Sequence, residues 1–151
     1  MVQRRMICMR RTWLKAARAQ AFISFRRSRK RRGTHNESQV QGVAVSGSVQ
    51  RPSRTLVLVE QLLAALAEVL PIDVHLITLE ELAPAIGGTS YRDQLPGRVQ
   101  AELAAIESAD VLVVGSPVYR GSYTGLFKHL FDLVHHEALI DVPVLLAATG
   151  G

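Results

Sequence analysis

A single cysteine, Cys8, occurs in the 151 residues, which excludes an internal disulfide framework and a cysteine-based zinc site. The chain also lacks any apolar run near the ~20 residues that a membrane-spanning helix requires. Three signatures of phosphate or nucleophile chemistry are missing: the Gly-Lys-Ser/Thr ending of a Walker A loop, the Gly-x-Gly-x-x-Gly dinucleotide turn, and the Gly-x-Ser-x-Gly elbow. His135-His136-Glu137 carries no metal reading, because adjacent side chains point apart and no third ligand follows at a fitting spacing. Disorder of the whole chain is excluded too, since 48% of the residues are hydrophobic. The length suits one domain with its own core. These limits predict a soluble, cytoplasmic protein with no membrane segment.

Acidic residues are absent from positions 1–36, which hold twelve Lys and Arg and end in Arg26-Arg27-Ser28-Arg29-Lys30-Arg31-Arg32. Residues 37–151 hold the remaining six basic residues and all 13 acids, so the formal charge of +5 describes neither part. The division predicts a basic, disordered leader over 1–39 and a globular domain over 40–151. Three readings of the leader stand: a non-specific grip on nucleic acid, an organellar transit peptide, or a bland segment that is either a solvated tail or not natively translated. The abrupt change of composition across Gly33–Gln41 favours the last and speaks against a nucleic-acid partner.

From Val40 onward the pattern alternates between strands and helices. Val43-Ala44-Val45 reads as a buried strand opening into a turn at Ser46-Gly47-Ser48. Leu56–Leu70 has helical spacing and is closed by Pro71, Ile72–Leu79 reads as a strand, and Glu80–Gly97 as a loop. Arg98–Ser108 and Tyr123–Val134 read as helices, and Val111–Val114 and Val142–Ala148 as strands. Such alternation implies a parallel sheet, with ligands bound at the carboxyl ends of its strands. That rule selects the loops Ser46–Arg54, Ser116–Ser122 and Thr149–Gly151, and assigns Glu80–Gly97 and His135–Asp141 to the opposite edge.

The first loop, from Ser46, offers a helix start, the hydroxyls of Ser48, Ser53 and Thr55, and the charges of Arg51 and Arg54. Unpaired N–H groups and a partial positive charge make such a helix start an anion seat. An ordinary Ser-capped helix with surface arginines fits the same residues equally well. In the second loop, Gly115–Gly125, the backbone groups and the Tyr119 ring could line a flat heteroaromatic ligand; a plain strand–turn–helix junction, with Tyr123 capping the core, fits it as well. Thr149, Gly150 and Gly151 would let a ring approach the backbone closely. No general acid or base stands out, a combination that suits a cofactor whose own ring does the chemistry.

Ser46-Gly47-Ser48 with Arg51-Pro52-Ser53-Arg54-Thr55, then Ser116-Pro117-Val118-Tyr119-Arg120-Gly121-Ser122-Tyr123-Thr124-Gly125-Leu126-Phe127-Lys128, then Ala147-Ala148-Thr149-Gly150-Gly151, are similar in order and content to one family. The chain resembles the NAD(P)H-dependent FMN reductases, and most closely those serving two-component methanesulfonate and alkanesulfonate monooxygenases. The resemblance implies a flavodoxin-like, doubly wound parallel sheet in three α/β/α layers, incomplete at its C-terminal side because the family continues past Gly-Gly. It implies FMN phosphate at Ser46, Ser48, Arg51, Ser53, Arg54 and Thr55, isoalloxazine and ribityl contacts at Pro117, Val118, Tyr119, Arg120 and Gly121, and Thr149, Gly150 and Gly151 at the far edge of the ring. It further implies hydride transfer from NADH or NADPH to flavin N5, delivery of reduced FMN to a partner monooxygenase, a homo-oligomer at full length, and weak FMN binding by the present chain. Tyr123 matches a tyrosine that the sulfonate-linked members insert in a π-helical stretch at a subunit interface. Two alternatives remain: a flavodoxin-like quinone reductase or electron carrier, and nucleic-acid binding through the leader.

Overall fold

In the computed structural model, residues 40–150 are described, so the basic leader and Gly151 lie outside the described residues. Four strands, β1 (Val40–Ser46), β2 (Ile72–Thr78), β3 (Val111–Pro117) and β4 (Val144–Thr149), pair in parallel in the order β2-β1-β3-β4. This is the flavodoxin-like strand order, and it reverses direction between β1 and β3. The helices are α1 (Arg54–Ala67), α2 (Leu79–Ile86), α3 (Gly97–Ser108) and α4 (Gly125–Asp132), with a short 3-10 turn at Arg92–Gln94.

Two-residue periodicity distributes the strand side chains between two cores. Val43, Val45, Leu112 and Val114 join the larger core, built with Leu82 and Ile86 of α2, Val99, Leu103 and Ile106 of α3, and Leu130 of α4. Ala44 and Val113 point the other way, onto Val59 and Leu63 of α1. The sheet is thus covered on both faces, which is why β1 and β3 read as nearly continuous apolar runs. Gly115 of β3 is required for this packing, since a Cβ there would lie 2.5 Å from Val59 Cγ2. The edge strand β4 is less covered: Val144, Leu145 and Leu146 are exposed.

The sequence predicts a loop throughout Glu80–Gly97, and the structure corrects this: α2 fills its first part despite Pro84. Proline removes one N–H donor and normally ends a helix. Here Leu79, Leu82 and Ile86 are all buried, so burial of one apolar stripe outweighs the missing bond. A second correction concerns Tyr123. It lies before α4 rather than within a helix, and no π-helix occurs among the described residues.

Three segments are joined by Glu107 of α3. Arg92 grips its carboxylate with both terminal nitrogens, Nη2 at 3.0 Å, and the His135 N–H donates to Oε1 at 2.8 Å. The Arg92 hydrogen bond, helped by the His135 N–H, holds the Glu107 carboxyl below the usual carboxylate range, although partial burial acts the other way. A group whose folded pKa lies below its unfolded value stabilises the fold above the unfolded pKa and loses that contribution as pH falls through the folded one. Glu107→Gln is therefore expected to lower stability by about 1 kcal/mol at pH 7. In urea titrations the gap from the parent chain should close as pH drops below about 4. A gap that stays constant into acid would contradict this account.

Candidate functional site

The carboxyl ends of β1, β3 and β4 form one rim, and hydrogen bonds join the three loops that follow them. Gly47 N–H donates to Gly115 O at 2.7 Å, bringing the first loop against the end of β3. Val118 N–H donates to Thr149 O at 2.8 Å, and the hydroxyls of Thr55 and Thr149 meet at 2.6 Å. Thr124 Oγ1, which caps α4 by accepting from Phe127 N–H, reaches Gly47 O at 3.5 Å. The loops picked from the sequence are therefore neighbours.

In the first loop, Ser46, Ser48 and Thr55 are buried and Arg51 and Arg54 are exposed. Ser48 Oγ closes a local turn by accepting from Gln50 N–H at 3.2 Å. Ser53 caps α1, its Oγ accepting from Leu56 N–H at 3.1 Å, while Ser53 O takes Val57 N–H at 3.2 Å. The N–H groups of Arg54 and Thr55 have no partner among the described residues. Two free amides at the positive end of a 14-residue helix, beside three serines and an arginine, fit a phosphate group.

The second loop leaves β3 at the buried Pro117 and turns back as a two-residue hairpin, with Tyr119 and Ser122 bonded in both directions at 2.8 and 3.1 Å. Arg120 (φ 54°) and Gly121 (φ 80°) occupy its centre, the positive-φ pair that a type I′ turn demands. Glycine adopts this conformation freely, whereas Arg120 is held there by the closed hairpin. Val118 and Tyr119 are left exposed, an apolar surface that suits a flat ring. At Gly150, in the third loop, a Cβ would meet nothing within 4 Å, so the space beside this backbone is open to a ligand.

The placement of Glu80 and Glu81 overturns one expectation. The segment after β2 does not lie at the opposite edge. It follows the carboxyl end of a parallel strand, and the register Ser46↔Thr78 sets it beside the first loop. Arg51 Nε donates to Glu80 Oε2, so this arginine is directed at α2. Glu80 and Glu81 are thus rim residues that sequence reading missed. The signal was available, because every strand–helix connection in a parallel sheet opens on that edge. His135–Asp141, by contrast, links α4 to β4 and does lie at the other edge. No group of three or more His, Cys, Asp or Glu side chains comes together among the described residues. Nor is any helix among them long and apolar enough to cross a membrane.

The sequence model of the NADPH-dependent FMN reductase family matches residues 41–151, nearly three quarters of the chain. The chain belongs to this family. It is 61% identical over 109 residues to the NADH-dependent FMN reductase SfnF of Pseudomonas fluorescens (strain Pf0-1), covering 72% of this chain and 58% of that protein. It is 59% identical over 109 residues to the NADH-dependent FMN reductase SfnE of Pseudomonas putida, covering 72% and 59%. An apo crystal structure of an NADH:FMN oxidoreductase, EMOB, superimposes with a TM-score of 0.65 at 33% identity, covering 74% of this chain and 59% of that one. The chain therefore spans less than three fifths of the length of these curated FMN reductases.

Proposed function

We propose that the three-loop rim binds FMN and that the protein reduces it with NADH or NADPH. The observation that carries this reading is the junction at Thr55 and Thr149, which joins the free N–H groups of α1 to the end of β4 beside the exposed Val118–Tyr119 surface. The phosphate would be held by the Arg54 and Thr55 N–H groups and by Ser46, Ser48 and Ser53, with Arg51 and Arg54 supplying charge. Pro117, Val118, Tyr119, Arg120 and Gly121 would support one side of the ring, and Thr149, Gly150 and Gly151 the other. Bound FMN supplies the hydride-accepting chemistry, so the side chains have to bind, orient and exclude water rather than exchange protons. Family membership and the FMN reductase names of the relatives support the same reading. By the resemblance to sulfonate-linked reductases, the acceptor of the reduced flavin is a flavin-dependent sulfonate monooxygenase, and the protein works in the cytoplasm as a homo-oligomer.

The test is a fluorescence titration of the chain with FMN and with riboflavin, which lacks the phosphate. FMN is expected to bind in the micromolar range, with riboflavin at least about tenfold weaker through loss of the charge-assisted bonds. NADH oxidation should depend on added FMN. Equal affinity for the two flavins would refute the placement of the phosphate at α1.

A further inference from the structure

The two arginines of the first rim loop are in different states. Arg54 makes no side-chain ion pair among the described residues, whereas Arg51 donates from Nε to Glu80 Oε2 and its Nη2 stands 3.9 Å from Glu81 Oε1. Glu81 also accepts from Arg98 Nη2 at 2.8 Å, so it is shared between α3 and the loop. The two carboxylates occupy the first turn of α2, where the helix dipole favours them. They take up the Nε–Nη2 side of the Arg51 guanidinium, one of the two edges with which it can grip a phosphate in bidentate fashion. The pair is nevertheless open to solvent, the Arg51 side chain being 61% exposed and that of Glu80 35%. An exposed ion pair of this kind is weak and exchanges readily.

We propose that Glu80 is a positioning residue that holds Arg51 off the phosphate seat, and that an arriving FMN phosphate draws Arg51 from Glu80 onto itself. This rests on the FMN reading above. A phosphate dianion at the start of α1 carries twice the charge of one carboxylate and meets free N–H donors, so the exchange runs toward the ligand. Part of the binding free energy is spent in breaking the Arg51–Glu80 pair. Glu80 thereby keeps affinity for the phosphate lower than the charges of the loop would otherwise set it. That is the behaviour required of a site that takes up a flavin and passes it on.

The test compares FMN and riboflavin binding to the full chain and to Glu80→Gln, Arg51→Gln and the double variant, at low salt and with thermal midpoints measured alongside. Glu80→Gln is expected to tighten FMN about two- to fivefold, the range of an exposed ion pair. Riboflavin affinity should stay the same, and the gain should shrink as salt is raised. In the Arg51→Gln background the gain should largely disappear. Weaker FMN binding by Glu80→Gln would overturn the proposal, as would an equal gain in both backgrounds, which would mean simple repulsion of the phosphate. Tighter riboflavin binding would overturn it as well. Discrimination between the flavins by the parent chain, with no effect of Glu80→Gln, would overturn the Arg51–Glu80 exchange alone. Absence of that discrimination in the parent chain would overturn the FMN reading and the exchange together.

Discussion

Leu103→Ala is expected to remove about 2–5 kcal/mol of stability, the range for deleting a fully buried leucine side chain. Leu103 has no exposed surface and lies in the larger core with Ile86, Val99, Ile106, Leu112 and Leu130. It belongs to the helix that also carries Glu107, and the core it shares is built from helices and strands rather than from one loop. Against a total stability of about 5–15 kcal/mol, such a loss takes a large share of the margin. Leu103→Met, which conserves volume, should cost less than about 1.5 kcal/mol. Urea denaturation of the three proteins checks both values, and a loss below about 1 kcal/mol for the alanine variant would show that α3 is not tightly packed on the sheet.

Gly47→Ala should damage the rim and the fold together. A Cβ at this position would lie 2.5 Å from Phe127 Cδ2 and 3.0 Å from the Gly115 carbonyl oxygen, the same oxygen that accepts the Gly47 N–H at 2.7 Å. The Phe127 ring is held between Tyr123 and Phe131, at centroid distances of 6.0 and 5.0 Å, and the carbonyl belongs to a central strand. Neither neighbour can yield without moving the first loop away from β3. The overpacking is expected to cost about 1–3 kcal/mol. FMN affinity should fall about tenfold, because Ser48, Ser53 and the α1 amides move with the loop. Gly88→Ala is the control, since nothing lies within 4 Å of a Cβ there, and it should be close to neutral in both measurements. A rim that binds FMN unchanged after Gly47→Ala would mean that the loop seats the phosphate by some other arrangement.

Much of this architecture is legible in the order of residues. The apolar spacing from Leu56 onward marks α1, and that of Val99, Leu103 and Ile106 marks α3 to within one residue of its observed ends. Helical and extended periodicities differ enough to survive in a single sequence when an element has one buried stripe. The short α2 does not survive in this way, because Pro84, Gly87 and Gly88 carry local signals that oppose the helix and only contacts distant in sequence override them. The start of α4 is misplaced for a related reason. The hairpin closes at Ser122 and Thr124 caps α4, so Tyr123, which helical spacing assigns to the helix, lies in the link between them.

By itself, the sequence determined a parallel α/β sheet, the three loops that would meet at its carboxyl rim, and the family those loops resemble, since each is written in local periodicity, turn chemistry or motif. Only the tertiary structure decided which side chains at that rim are free and which are engaged. Whether Arg51 faces a ligand or Glu80, and whether Thr55 meets Thr149, depends on pairings between residues 29 and 94 positions apart. Such contacts arise from how the strands are ordered, and no local pattern in the chain encodes them.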